Sequence, residues 1–217
     1  MNISSEVVNT LKNFSQINPS LSVKPGNEIV TMSPSKTIIA KVVTDEIFDK
    51  PFCIYELNKF LGIVSMLEEP KFDFGDKSVR IDSKTGTVNY TYADESMIVP
   101  PLTNNIDIKD KIASFELNKT QLTSVIRAAS VLQADLVKIF SENGVLKVGT
   151  ANSKNENNHS FDINLPTSID NDFSIYLKTD NIVKIMPEEY TVTVGKTVIE
   201  FRNDVHVYWV VAESKRP

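Results

Sequence analysis

Five long cationic side chains, Lys12, Lys59, Lys119, Arg127 and Lys184, fall inside the four stretches of the chain that read as helices. In those windows they meet only two carboxylates, Glu6 and Asp180, both at helix starts where a negative charge also suits the helix dipole. The helical windows carry a net charge of +3 and the remainder of the chain −8, within an overall −5. An acidic chain with neutral-to-basic helix faces has one kind of surface suited to a polyanion. Each cation can equally do no more than solvate its helix, a role that fits Lys59 and Lys119 best because they sit toward the flank. Lys12, Arg127 and Lys184 stand opposite the apolar stripes and are the stronger candidates for contact with an anion.

Covalent chemistry finds little to work with. His159 lies in the Asn-rich stretch KNENNHS and His206 in a turn or strand, and neither has a nucleophile or carboxylate at a spacing legible as a triad or metal site. The pairs Glu68/Glu69 and Glu188/Glu189 occupy matching helix-to-strand turns and read as solvated turns rather than acid–base partners. Seven glycines supply no phosphate-cradling loop, and the single Cys53 gives no disulfide framework. Cys53 is expected as a small buried strand residue. No catalytic residue, metal or cofactor is therefore expected, and the chain reads as a non-enzyme. With 41% hydrophobic and 24% charged residues and no apolar run long enough to span a bilayer, the 217 residues read as globular, with no membrane partner. The start, MNISSEVVNT, is neither basic nor apolar, so a reducing cytoplasm is the expected compartment.

What must position the cations is a repeat. Phe52, Ile54 and Tyr55 fall on Phe173, Ile175 and Tyr176, and after one deletion Met66 falls on Met186, Glu68 and Glu69 on Glu188 and Glu189, and Gly75 on Gly195. Alternating strands then match, with Val79 and Ile81 on Ile199 and Phe201, and NYTYA over YWVVA. The upstream parts agree in order: Leu11 falls on Ile126, Ile17 on Leu132 and Leu21 on Leu136, each copy continuing through a glycine turn into a strand. The expected organisation is two similar domains, 1–108 and 109–217, each made of two helix-plus-strands units, in the α+β class. Residues 94–111, with paired prolines and an apolar run from Met97 to Leu102, read as the connector.

Helices are expected near 5–17, 58–67, 119–132 and 180–186. Their predicted starts are Ser4 or Ser5, Asn58, Asn118 with Gln121 three residues on, and Thr179 or Asp180, all able to cap free N–H groups. Nearly everything else alternates in strand period.

LKNFSQIN at 11–18 and IYELNKFLGIVSM at 54–66 closely resemble the DNA polymerase sliding clamps of T-even-type bacteriophages, and the doubled two-unit layout fits the wider clamp family. The resemblance covers the whole chain in architecture, with its sequence strength in the first 70 residues. It implies the DNA clamp fold, with helices on the inner face and antiparallel sheets outside, assembled as a homotrimeric ring of six domains around duplex DNA. The implied partners are the phage DNA polymerase, an ATP-dependent clamp loader and late-transcription factors, in the cytoplasm of an infected bacterial host. A ring that slides cannot read bases, so Lys12, Lys59, Lys119, Arg127 and Lys184 are expected to reach phosphates without sequence preference.

Two further sites follow from the resemblance. A pocket for partner peptides is expected from Met97, Ile98, Val99 and Pro100 in the connector with Val210, Val211 and Ala212 in the last strand, although Ile98 and Val99 can equally pin the connector to its own domain. The subunit interface is expected where TVNYTY meets a neighbour's SFDINL, bringing Thr87, Val88, Tyr90 and Tyr92 against Phe161 and Ile163. Tyr90 and Tyr92 also suit an ordinary sheet surface. A second functional class, a β-rich viral structural or ligand-binding module with incidental helix charges, fits the same repeat.

Overall fold

A computed structural model describes residues 1–154, 159–169 and 171–213. They form two compact units divided between Asn104 and Asn105. Both mix helices with antiparallel sheet, the α+β architecture expected.

The first unit runs α1 (Ser5–Ile17), β1 (Leu21–Val23), β2 (Gly26–Met32), β3 (Ile38–Phe48), β4 (Phe52–Ile54), α2 (Leu57–Ser65), β5 (Lys71–Phe74), β6 (Ser78–Ser83) and β7 (Gly86–Thr91). The second opens with an additional strand, β8 (Lys111–Leu117), and then repeats the order: α3 (Lys119–Val131), β9 (Leu136–Glu142), β10 (Val145–Ala151), β11 (Asp162–Ser168), β12 (Ser174–Lys178), α4 (Thr179–Ile182), β13 (Tyr190–Gly195), β14 (Val198–Arg202) and β15 (His206–Val211).

In α1 the residues Val7, Leu11, Phe14 and Ile17 recur at helical spacing and are buried. Ser4 caps the first turn by accepting from the Val7 N–H at 3.3 Å. Asn18 ends the helix in extended conformation, as the residue before Pro19 must. α3 starts on a full capping box: the Gln121 N–H donates to the Asn118 side chain, and the Asn118 N–H to the Gln121 side chain.

The other two helices depart from expectation. α2 begins at Leu57 with Glu56 at its cap position and no side-chain cap, because the Leu57 N–H donates instead to the Pro19 carbonyl at 2.8 Å. α4 likewise begins without a side-chain cap, its Thr179 N–H donating to the Asp135 carbonyl at 3.0 Å. The helix expected to Met186 stops at Ile182. Beyond it the chain tightens into three-residue turns in which Lys184 and Ile185 donate to Asn181 and Ile182, and Pro187 disfavours α conformation at Met186.

In the first unit β1 pairs with β4, β2 with β3, and β5–β6–β7 form a meander, all antiparallel. In the second, β11–β10–β9–β12 form one antiparallel run and β8–β13–β14–β15 another. α3 packs on β9, β10 and β11, and α4 on β9 and β12. Leu122, Val125, Val137, Ile139, Val148 and Leu177 are buried in this unit. Met1 takes the place in the first unit that β8 takes in the second, exchanging backbone hydrogen bonds with Phe72 of β5.

Gly149 in β10 is fixed by close approach. A Cβ there would stand 1.8 Å from Asp162 Oδ1 and 2.5 Å from the Phe161 carbonyl oxygen, so β11 crosses where only glycine leaves room. Gly149→Ala is expected to cost about 1–3 kcal/mol in urea unfolding. Asn118→Ala should cost about 1 kcal/mol through the capping box, whereas Glu56→Ala, at a start that uses no side-chain cap, should stay within about 0.5 kcal/mol.

Candidate nucleic-acid interface

Each unit presents a pair of packed helices, α1 with α2 and α3 with α4. Lys12 projects from the exposed side of α1 beside Asn9 and Gln16, opposite the buried Leu11 and Phe14. Arg127 does the same on α3, opposite Leu122, Val125 and Ala129. The repeat that sets Leu11 on Ile126 sets Lys12 on Arg127, so the two exposed cations occupy equivalent positions. Among the described residues neither forms an ion pair with a carboxylate.

The other three cations are placed differently. Lys59 is exposed on α2, and its Nζ lies 3.3 Å from Glu56 Oε2, an exposed pair one helical turn apart that dilutes its charge. Lys119 is the first residue of α3, exposed at the positive end of the helix dipole. Lys184 is half-buried in the turns after α4, not on a helix.

Two strands offer edges. Among the described residues of their own units, β7 pairs only with β6 and β11 only with β10. Thr87 is exposed, and Val88, Tyr90 and Tyr92 are half-buried. Tyr90 packs edge-on against Phe60 at 5.1 Å between centroids, and Tyr92 stacks on Phe52 at 5.7 Å. Among the described residues the buried Tyr92 hydroxyl has no hydrogen-bond partner, and burial pushes the phenol up to about 12. On β11, Phe161 just ahead of the strand and Ile163 within it are half-buried. Pro166 removes one N–H from this strand, a residue suited to a sheet edge. β15, the repeat counterpart of β7, is buried from His206 to Val210.

The apolar set expected for partner peptides divides by exposure. Met97, in a single 3-10 turn capped by Asp94, is 56% exposed and Val99 65%, and Pro100 is also exposed, while Ile98 between them is buried. Val210 is fully buried, Val211 is exposed and Ala212 half-buried.

One polar cluster was not legible in the sequence. His206 Nδ1 lies 3.0 Å from Glu188 Oε2, which also accepts from Asn203 Nδ2 at 2.8 Å and lies 3.4 Å from the Tyr190 hydroxyl. Glu188 is therefore half-buried and bonded rather than a solvated turn residue. Its neighbour Glu189 is exposed, and Glu68 and Glu69 sit in the open beside Lys84. The carboxylate and the imidazole come from two strands' ends, far apart in sequence, and only the β13–β14–β15 meander brings them together. The cluster ties this end of the sheet together. Cys53 is buried in β4, its thiol 3.5 Å from the Ser22 hydroxyl. Among the described residues no group of three or more His, Cys, Asp or Glu could hold a metal ion. Among the described residues no helix is long and apolar enough to cross a membrane.

No protein-family model matches the chain. Among curated proteins it is 24% identical over 200 residues to a sliding clamp of Vibrio phage KVP40, covering 89% of this chain and 90% of that one. It is 27% identical over 228 residues to the sliding clamp of Escherichia phage RB69, covering 99% and 97%, and 29% identical over 156 residues to that of Enterobacteria phage T4, covering 70% and 67%. Among solved structures, the Proliferating Cellular Nuclear Antigen of Entamoeba histolytica matches with a TM-score of 0.70 at 13% identity, over 96% of this chain and 95% of its own. A DNA polymerase III beta chain from Streptococcus pneumoniae matches with a TM-score of 0.72 at 14% identity, over 98% of this chain. The chain spans 64% of that longer protein. The chain thus has the fold of these DNA clamps, and its sequence resembles the sliding clamps of T4-type phages along most of its length.

Proposed function

We propose that the chain is a sliding clamp for a DNA polymerase, encircling duplex DNA as a homotrimeric ring of six domains, 1–108 and 109–217 in each subunit. The observation that carries this reading is the matched pair of exposed cations, Lys12 and Arg127, at equivalent positions of two repeated helices in a chain with a net charge of −5. Cations on such helices, facing a central hole, attract phosphates through water and let the duplex pass, because they impose no base-specific contacts. Lys184, Lys119 and Lys59 add to the field with diminishing weight, Lys59 least because Glu56 stands beside it.

In this reading the ring closes by pairing β7 with β11 of the neighbouring subunit, joining Thr87, Val88, Tyr90 and Tyr92 to Phe161 and Ile163. Edge strands with unpaired backbone groups support such closure, since a cyclic assembly leaves no edge exposed. Met97, Val99, Pro100 and Val211 supply apolar surface for tails of the phage polymerase, the ATP-dependent loader and late-transcription factors, with Ile98, Val210 and Ala212 more enclosed. The clamp tethers and performs no chemistry of its own. Its place of action is the infected bacterial host.

Light scattering should give a mass near three times 24.3 kDa, falling on dilution, and Ile163→Lys should shift it toward monomer by placing a charge in the strand junction. A monomer at every concentration would remove the hole and favour a structural module instead. Lys12→Glu combined with Arg127→Glu should lower processive synthesis on loaded circular templates by more than about tenfold near 150 mM salt, with mass and circular dichroism unchanged. Unchanged processivity would overturn the assigned DNA-facing role of these helices.

A further inference from the structure

The sequence contains a single Asn–Gly pair, Asn143–Gly144, which forms the two-residue loop between β9 and β10. Glu142 and Val145 pair on either side of it, and both loop residues take positive φ, 53° and 77°, as so tight a hairpin requires. Asn143 is exposed. Asparagine before glycine is open to attack by its own backbone, because with no Cβ on the next residue nothing crowds that residue's nitrogen as it approaches the side-chain carbonyl carbon.

Among the described residues neither the Asn143 side chain nor the Gly144 N–H has a hydrogen-bond partner, so local opening of the loop is all that the approach needs. Asn152, which precedes the small Ser153, is held differently. Its Oδ1 accepts from the Lys154 N–H at 3.0 Å, and the Ser153 N–H, the nitrogen that would attack, donates to Asp135 Oδ1 at 2.9 Å. The Asn143–Gly144 loop also anchors the neighbouring strand. The Gly144 carbonyl accepts from the Ile169 N–H at 3.1 Å, and Val145 pairs with Ser168, the last residue of β11.

We propose that Asn143–Gly144 is a self-modification site that converts to an isoaspartyl linkage in the folded chain and releases the end of β11. The Gly144 nitrogen gives up its proton to base and bonds to Asn143 Cγ, and the side-chain nitrogen leaves as ammonia, closing a succinimide ring. Water adds to either ring carbonyl and reopens the ring, leaving aspartate or, with the main chain rerouted through the side chain, isoaspartate. Both products add a negative charge beside the exposed Glu142, whose Oε2 is held by Lys147 at 2.7 Å. Isoaspartate also lengthens the main chain by a methylene inside a two-residue loop, so the Glu142–Val145 pairing and the Gly144–Ile169 bond no longer fit together. The site stands on the loop alone; its effect on subunit closure rests on the reading of β11 as the closing edge.

The full chain is aged in warm, mildly alkaline buffer, digested, and mapped by mass spectrometry with fragmentation that distinguishes isoaspartate from aspartate. Isoaspartate should accumulate at position 143 about tenfold faster than deamidation at Asn152, and faster with rising hydroxide. The aged fraction, separated by ion exchange through its added charge, should exchange the Ile169 amide about tenfold faster than the fresh chain, with the amides of α3 unchanged. Asn143→Gln, which cannot close the succinimide, should keep slow exchange at Ile169 through the same ageing. No isoaspartate at position 143, or isoaspartate with Ile169 exchange unchanged, would overturn the proposal. In light scattering the aged fraction should shift toward monomer, and equal dissociation of aged and fresh chain would overturn the effect on closure. A fresh chain that is monomeric at every concentration would count against the ring and not against this site, which mass and exchange decide by themselves.

Discussion

Backbone hydrogen bonding at strand ends and edges is the constraint on which this structure turns. A chain built mostly of antiparallel strands carries rows of N–H and C=O groups that need partners wherever water is excluded. Each unit meets that need with hairpins inside the sheet and borrows partners at its margins. Pro19 and Asp135 supply carbonyls to the starts of α2 and α4, and Met1 and β8 cover the first strand of each second meander. Among the described residues β7 and β11 remain edges within their own units, and their side chains reflect it. Aromatic rings anchor one, and a proline thins the donors of the other.

Much of the fold was legible because the repeat is written in apolar spacing, which burial enforces. The stripes of α1 and α3 and the Asn118–Gln121 capping box depend on residues within four positions of one another, and such local signals survive into the structure. What was not legible rests on partners distant in sequence. Asn58 looked like a cap, but a carbonyl from the end of α1 already satisfies the start of α2. The Glu188 turn looked solvated until β15 brought His206 to it. Pro187 marked the sequence against helix at Met186, but the tightening into three-residue turns from Lys184, just beyond the end of α4 at Ile182, was not written in the apolar pattern.

The candidate DNA-facing residues were legible as types and faces but not as equals. Exposure and helix position separate Lys12 and Arg127 from Lys59, which has an acidic neighbour, and from Lys184, which is partly covered. Charge on a long flexible stem is effective at a distance of several ångströms and is screened beyond about 8 Å at physiological salt. A sparse, matched pair in an acidic body therefore acts only on a polyanion held close to the helices. The partner-peptide set divides for a simpler reason. The 3-10 turn ends at Met97 and the chain extends at Ile98, which turns inward while Met97 and Val99 stay exposed, so the adjacent apolar residues do not all face a ligand.

The cover that β8 gives β13 also has a cost in time. Leu117 of β8 pairs with Tyr190 of β13, so a ribosome finishes β8 before its partner exists. At about 5–20 residues per second the intervening stretch takes roughly 4–15 s to synthesise. For that interval β8 is a nascent strand with Ala113, Phe115 and Leu117 on one face and nothing to receive them. Lys111 and Glu116, charged and exposed on the strand, are of the kind that disfavours pairing with neighbouring chains. Charge on an exposed strand face thus bears on the yield of folded protein as well as on the finished sheet, where Glu116 accepts from the Thr191 hydroxyl at 2.8 Å.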